Sequence, residues 1–351
     1  MSREPERVRL LVVGLGKLGL LHAGLARALP HCELVGVVEP SPTLRKIFTS
    51  QVAAIKSYAD IDSVPVDARI DGVVIATPTA SHPDLVEWAM DRRLAVLVEK
   101  PLAATASDSA RLMRLPDLQA ARIAVGYMTR FAETFAHARM LLKQGVIGDV
   151  LVVRASMYVE QLMTRGKGWR YDASVAGGGV LITQNSHLLD LLIWLVGSIR
   201  RVSGHTGMLV SDGVEDLAHS WLEFEGGAVG FLDSSWTARH YRTASIQIHC
   251  QGTNGTLEVT DDDVRLFLDH GHGGHAAGWS AWSRVDLFTP VPVDIGGPAY
   301  TRQMMAFCDL VRGTADTACS VEDAHRVQCT IDAIYESARS GGAPREVQIL
   351  Q

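Results

Sequence analysis

At 351 residues and 47% hydrophobic content, the chain is long enough and apolar enough for two well-cored domains. Its net charge of -6 provides no basic footprint for nucleic acid or an anionic membrane. The five cysteines, Cys32, Cys250, Cys308, Cys319 and Cys329, are scattered and lack any C-x-x-C pair, which argues against a disulfide framework and a cysteine zinc site. They fit a reducing cytosol. The charged start MSREPER runs directly into strand-like sequence and is not a signal peptide. The most apolar later run, residues 188–196, is interrupted by Asp190 and is too short to span a bilayer. The expectation is a cytoplasmic protein.

A short apolar run, Val8 to Val13, is long enough for one buried strand. Gly14, Gly16 and Gly19 follow in the spacing G-x-G-x-x-G, with Lys17 and Leu18 between the last two. Apolar residues then recur at helical spacing up to Leu29, and Pro30 closes the helix. A second strand, Leu34 to Val38, ends in Glu39. In this order the first glycine permits a tight turn, the second admits a pyrophosphate to the backbone, and the third lets the helix pack on its strand. The helix N-terminus offers N–H groups and a positive dipole end to phosphates. A carboxylate at the tip of the second strand accepts hydrogen bonds from a ribose diol and repels a 2′-phosphate. Gly14, Gly16, Lys17, Leu18, Gly19 and Glu39 are therefore cofactor-binding candidates. Glu39 favours NAD, with Ser41 and Arg45 leaving NADP as the lesser option.

The alternation continues. Leu44 to Gln51 reads as a helix, residues 73–76 as a strand and residues 83–92 as a helix. Strands at 94–98 and 123–126 flank a helix at 107–115. Short apolar strands between amphipathic helices predict a parallel sheet covered on both faces, with ligands at the carboxyl ends of its strands. Thr77, Pro78, His82, Glu99, Lys100 and Tyr127 fall at or just after those ends, and Arg130 follows; all but Tyr127 are cofactor-binding candidates. Lys100, between Glu99 and Pro101, is the candidate to stabilise a developing alkoxide or exchange a proton with it.

Near residue 128 the pattern changes, which divides the chain into domains 1–127 and 128–351. A helix at 132–144 and a strand at 150–158 lead to a loop holding Trp169, Arg170 and Gly177 to Gly179. Trp169 and Arg170 are candidates to stack on and bind substrate. The helix at about 181–196 is apolar nearly all round and so is buried. Thr183, His187 and Asp190 nevertheless lie at i, i+4 and i+7, forming one polar stripe. Polar groups on a buried helix find partners or line a cavity. His187 is the proton-transfer candidate. From Val202 to about Phe288, strand-like runs separated by Gly, Asn and Asp turns predict a large, mostly antiparallel sheet with an open face suited to self-association. Helices at about 300–312 and 321–340 close the chain. His270, His272 and His275 sit in a glycine-flanked run that reads as a solvated loop rather than a metal site, and no metal is expected.

VVGLGKLGLLHAGLARAL, ATPTASHPDLVEWAM, VEKPLA, GYMTRF and LLKQGVIGDVLVVRASMY resemble successive blocks of the Gfo/Idh/MocA oxidoreductases. GKGWRYDASVAGGGVLITQNSHLLDLLIWLVG resembles the glycine-rich approach to that family's catalytic helix. The resemblance covers about residues 7 to 200. It implies an α/β protein: an N-terminal Rossmann domain and a C-terminal α/β domain with an open sheet, assembled as homodimers or homotetramers through that sheet. It further implies NAD(P)-dependent oxidation or reduction of sugars, inositols and their derivatives. The family's motif lysine falls on Lys100, its helix histidine on His187 and the following aspartate on Asp190. Where many relatives carry an aspartate four residues before the histidine, this chain has Thr183, which can hydrogen-bond substrate but supplies no charge.

The reading is a hydride transfer between a nicotinamide and a hydroxyl or keto carbon of a sugar, cyclitol or sugar derivative. His187 moves the proton, Lys100 holds the oxygen, and Thr183, Asp190, Trp169, Arg170 and Tyr127 contact substrate. Two alternatives come from other classes: a glycosidase that retains NAD and acts by transient oxidation, and a non-catalytic Rossmann redox sensor.

Overall fold

The computed structural model describes residues 7–52, 55–161 and 168–349. They form two compact units. The first holds the described residues up to Ala103, then Asp108–Met128 and Pro290–Ala324. The second holds Ala104–Ser107, Thr129–Thr289 and the described residues from His325 on. A single boundary at 127/128 therefore does not describe the chain's contacts, because residues 290–324 return to the first unit.

The chain begins with β1 (Val8–Val13), α1 (Lys17–Ala28), β2 (Cys32–Val38), α2 (Pro42–Gln51) and β3 (Lys56–Tyr58). It continues with β4 (Gly72–Ile75), α3 (His82–Asp91), β5 (Ala95–Val98), α4 (Ala106–Met113) and β6 (Ile123–Val125). The six strands are all parallel, in the order β3-β2-β1-β4-β5-β6. Every residue of β4 and β5 is buried, as their continuous apolar runs require of central strands covered on both faces. The strand order reverses beside β1, so the carboxyl ends of β1 and β4 flank the crevice that suits a dinucleotide.

The second unit contains α5 (Glu133–Lys143), β7 (Val150–Tyr158), α6 (Ala173–Ala176), α7 (Val180–Thr183) and α8 (Asn185–Leu195). After these come β8 (Ile199–Gly207), β9 (Leu217–Phe224), β10 (Val229–Ser235), β11 (Ser245–Gly252), β12 (Gly255–Thr260), β13 (Asp263–Leu268), β14 (Gly278–Ser283) and α9 (Arg284–Leu287). The chain ends with α10 (Pro298–Arg312), α11 (Val321–Arg339) and β15 (Arg345–Glu346). The second sheet has nine strands, β14-β13-β12-β11-β7-β10-β9-β8-β15. Its neighbours are antiparallel except β7 with β10. Val153, Ala155, Met157, Leu222, Leu232 and Ile248 are buried in alternating strand positions, the period expected of a sheet with one covered face. The intervening positions carry exposed Trp221 and Phe231, which lie directly opposite each other.

Helix α10 completes the first unit. Pro298 opens it and Gly313, at φ +70°, ends it. Met304, Phe307 and Cys308 on α10 join the cluster built from Val8, Leu10 and Val12 of β1 and Leu25 and Leu29 of the first helical segment. The Cys308 thiol lies 3.0 Å from that of Cys32 on β2. Gly72 gives Phe307 its room, since a Cβ there would sit 3.0 Å from the ring tip.

Candidate active site

The first unit presents a preformed dinucleotide cradle. Gly14, at φ +92°, makes the turn out of β1, and its N–H donates to the Val38 carbonyl at 2.8 Å. A Cβ on Gly19 would lie 1.9 Å from the Gly14 carbonyl oxygen, so the loop and α1 close up only around a glycine. Gly16 differs: it is exposed, and nothing lies within 4 Å of a Cβ built on it. It is also the N-cap of α1, with no side chain capping the helix. The start of α1 is thus open to a phosphate, and exposed Lys17 and half-buried Leu18 form its first turn.

Glu39 is buried at the end of β2. Its Oε2 accepts the Leu15 N–H and its Oε1 accepts the Ser41 N–H, both at 2.9 Å. Each oxygen retains acceptor capacity for a ribose hydroxyl. Arg45 donates instead to the carbonyls of Glu39 and Pro40. Its guanidinium is engaged with backbone rather than presented to a 2′-phosphate. The residues present therefore fit NAD.

The ends of β4 and β5 meet through His82. The side chain is buried, with Nδ1 2.9 Å from the Pro101 carbonyl oxygen and Nε2 3.0 Å from that of Thr77. Burial holds its pKa below the usual histidine range against the pull of those carbonyls. Expected as a cofactor contact, His82 instead lies between two strand-end loops, and as a neutral imidazole it donates to one of the two carbonyls. Thr77 is half-buried and Pro78 exposed at the same edge. Glu99 is buried, Lys100 is half-buried, and the Lys100–Pro101 peptide is cis. Tyr127, expected at substrate, is 1% exposed and belongs to the core.

In the second unit the helix expected over residues 181–196 is divided at Gln184 into α7 and α8. The Thr183 hydroxyl donates back to the Gly179 carbonyl at 2.6 Å, and the Gln184 side-chain oxygen accepts the Trp236 indole N–H at 3.1 Å. The His187 N–H bonds the Gln184 carbonyl, a tight three-residue return across the junction. Thr183, Gln184 and His187 are half-buried among fully buried neighbours, so they form the part of this segment that reaches a surface. Asp190 does not share it. Its carboxylate is fully buried and takes two hydrogen bonds from Arg130, whose guanidinium also lies 5.5 Å from the Trp194 ring. The expected polar stripe therefore splits: Asp190 braces α8, and Arg130, expected at the cofactor, is its partner. The stretch Trp169–Tyr171 is a 3-10 turn in which Arg170 is exposed.

Sequence reasoning missed the group that shapes the start of α7. Glu215 accepts the N–H of Gly179 at 2.8 Å, that of Leu181 at 3.0 Å and the Tyr335 hydroxyl at 2.7 Å. A Cβ on Gly179 would lie 1.9 Å from the Glu215 carbonyl oxygen, which explains the last glycine of the triplet. Burial raises the Glu215 pKa, and these three donors oppose the rise. His22 on α1 was missed too, and it bonds Glu99. Both acids lie far in sequence from their partners, so no local pattern marks them.

Comparison with known proteins adds a relationship. The family model described as oxidoreductase family, NAD-binding Rossmann fold, matches residues 8–127, and that of the GFO/IDH/MocA C-terminal domain matches residues 135–258. A scyllo-inositol 2-dehydrogenase (NAD(+)) of Bacillus subtilis (strain 168) is 29% identical over 262 residues, covering 72% of this chain and 74% of that protein. A putative UDP-kanosamine synthase oxidoreductase subunit of Amycolatopsis mediterranei (strain S699) is 26% identical over 356 residues, covering 95% and 96%. The solved structure of levoglucosan dehydrogenase with NADH and L-sorbose superposes with a TM-score of 0.85 at 21% identity, covering 98% of this chain and 100% of that one.

Proposed function

The chain belongs to the Gfo/Idh/MocA oxidoreductases, enzymes with an NAD-binding Rossmann domain, and on that premise we propose that it acts on a hydroxyl or keto carbon of a sugar, cyclitol or sugar derivative. The names of its relatives support this substrate class. One observation carries the assignment of chemistry: on a segment otherwise buried in apolar side chains, His187 reaches a surface beside Thr183 and Gln184.

NAD supplies the hydride acceptor, or as NADH the donor. Gly16, the first turn of α1 and Glu39 hold it. His187 takes the hydroxyl proton as the carbinol becomes a carbonyl, or returns it in reduction. Lys100 positions the same oxygen and stabilises the charge that develops on it. Thr183 and Gln184 hydrogen-bond neighbouring hydroxyls, and exposed Arg170 contributes to substrate binding, while the Trp169 side chain lies outside the described residues. Thr183 carries no charge, so proton transfer rests on His187 alone on that face.

The assembly we propose is a homodimer or homotetramer joined through the outer face of the second sheet. Exposed Trp221 and Phe231 pair across strands there, and Trp279 is also exposed. We assign the protein to the cytoplasm on its five buried cysteine thiols. Among the described residues no helix is long and apolar enough to cross a membrane.

The test is NADH absorbance and fluorescence against sugars, cyclitols, sugar phosphates and nucleotide sugars, with NAD and NADP in parallel. Turnover of one substrate class that is lost in Lys100→Ala and His187→Ala is the expected result. NAD binding without turnover across the panel would overturn it and direct the next assay to glycoside cleavage or to partner binding.

A further inference from the structure

His22 is buried on the second turn of α1, the helix whose start faces the dinucleotide cradle. Its Nε2 lies 2.8 Å from Oε1 of Glu99, and both side chains are closed to solvent. Glu99 directly precedes Lys100. Gly126 gives Glu99 its room, since a Cβ there would sit 3.1 Å from both the Glu99 Cα and its Oε2. On the other side the Tyr300 ring meets the His22 ring edge-on, with centroids 6.1 Å apart. Burial and the nearby Glu99 charge push the Tyr300 hydroxyl up to about 12. Beyond Lys100, the Pro101 carbonyl oxygen lies 2.9 Å from Nδ1 of His82. The lysine thus stands between two residues, each met by a buried imidazole, Glu99 through its carboxylate and Pro101 through its carbonyl.

We propose that His22 is a positioning residue for Lys100: by holding Glu99 it sets the backbone from which the lysine extends and ties that backbone to the cofactor-binding helix. The His22–Glu99 contact spans 77 residues and joins α1 directly to the end of β5. A neutral or charged imidazole with its proton on Nε2 donates to the carboxylate in either state. Without that donor, a buried carboxylate has to find another partner or draw in water, and either route shifts residue 99 and the peptide after it. A displacement on the order of 1 Å at a catalytic group costs about 100-fold in rate. The proposal rests on Lys100 acting at the reacting oxygen.

The test pairs turnover with a reading of Lys100 that needs no substrate. Trace acetylation of the folded protein, quantified by peptide mass spectrometry, gives the reactivity of Lys100 relative to exposed Lys46 on α2. In His22→Leu the ratio is expected to change about threefold or more, because a moved carboxylate changes the lysine's pKa. The same variant is expected to lose roughly 10- to 100-fold in kcat while NADH affinity stays within about twofold. His22→Gln places an amide N–H near the position of Nε2 and is expected to restore both readings. An unchanged ratio in folded His22→Leu overturns the proposal, as does a changed ratio with wild-type kcat. If His22→Leu does not fold, Glu99→Gln takes its place: the ratio is expected to change, and an unchanged ratio overturns the proposal. Failure of the functional reading is seen separately, as wild-type turnover in Lys100→Ala.

Discussion

Arg130 and Asp190 close on each other through two hydrogen bonds, Nε to Oδ2 at 2.9 Å and Nη2 to Oδ1 at 2.6 Å, with both side chains buried. The pair fixes α8, and with it His187, to the segment that follows β6. Removing one partner leaves a charge in a medium that solvates it poorly. Asp190→Ala is expected to lose about 3–5 kcal/mol of stability, whereas Arg130→Met with Asp190→Leu is expected to recover most of the loss. Urea unfolding of the two variants measures the difference. A single variant as stable as the parent would show that α8 is held by other contacts.

Gly16 and Gly19 separate binding from folding. Gly16 has open space where its Cβ would be, so Gly16→Ala is expected to melt like the parent. The added methyl occupies the backbone surface on which a pyrophosphate rests, and NADH affinity is expected to fall on the order of tenfold or more. Gly19→Ala meets the Gly14 carbonyl and is expected to lower the melting temperature as well. Calorimetry and an NADH fluorescence titration separate the two effects. Equal NADH affinity in Gly16→Ala and the parent would remove the phosphate from this loop.

Glu39 serves the fold and the cofactor together. Glu39→Gln keeps an acceptor oxygen for one of its two backbone donors and removes the charge. Its expected effect is weaker NAD use, by about one hydrogen bond to a charged group, roughly 1.5–3 kcal/mol, and a narrower gap between NAD and NADP. The ratio of kcat/KM for the two cofactors measures it. A ratio that does not move would mean that discrimination lies elsewhere.

Asp261 gives the second unit a pH signature. Burial pushes its carboxyl from an ordinary 3.8 to about 6, against the Ile246 N–H that donates to it at 2.7 Å. Between those values the folded chain binds the proton more tightly than the unfolded chain does. The contribution of Asp261 is therefore fully present below about pH 4, declines as pH rises, and is lost above about pH 6. Asp261→Asn, which cannot ionise, is expected to match the parent near pH 4 and to exceed it in urea midpoint above pH 6. A constant difference across that range would remove Asp261 as the source.

What the sequence reveals here depends on distance along the chain. The turn, glycines, helix and acid of residues 8–39 lie within one local unit, and each has a spacing that only one geometry satisfies. Helical spacing likewise puts His187 and Asp190 on neighbouring turns. It does not reveal that Arg130, 60 residues earlier, claims the aspartate, nor that Trp236 holds Gln184. A run without glycine or proline reads as one helix, and the break at Gln184 coincides with this tertiary hydrogen bond. The edge strand β3 is only Lys-Ser-Tyr, too short and too polar to show a strand period, and its pairing with β2 makes it a strand. His22 lies on the buried side of a helix with a recognised motif at its start, and only the folded chain shows that it reaches Glu99.

Phe307 and its neighbours on α10 fill the core of a unit whose first strand begins at Val8. On the ribosome, the sheet from β1 to β6 is complete in sequence at Val125, but its covering helix ends only at Arg312. At elongation rates of roughly 5–20 residues per second, that interval lasts about 10 to 40 s. Throughout it, Leu10, Leu25 and Leu29 lack the aromatic side chain that seals them. The nascent chain is then most exposed to aggregation and most dependent on chaperones, and a fragment ending at residue 127 would retain that exposure permanently.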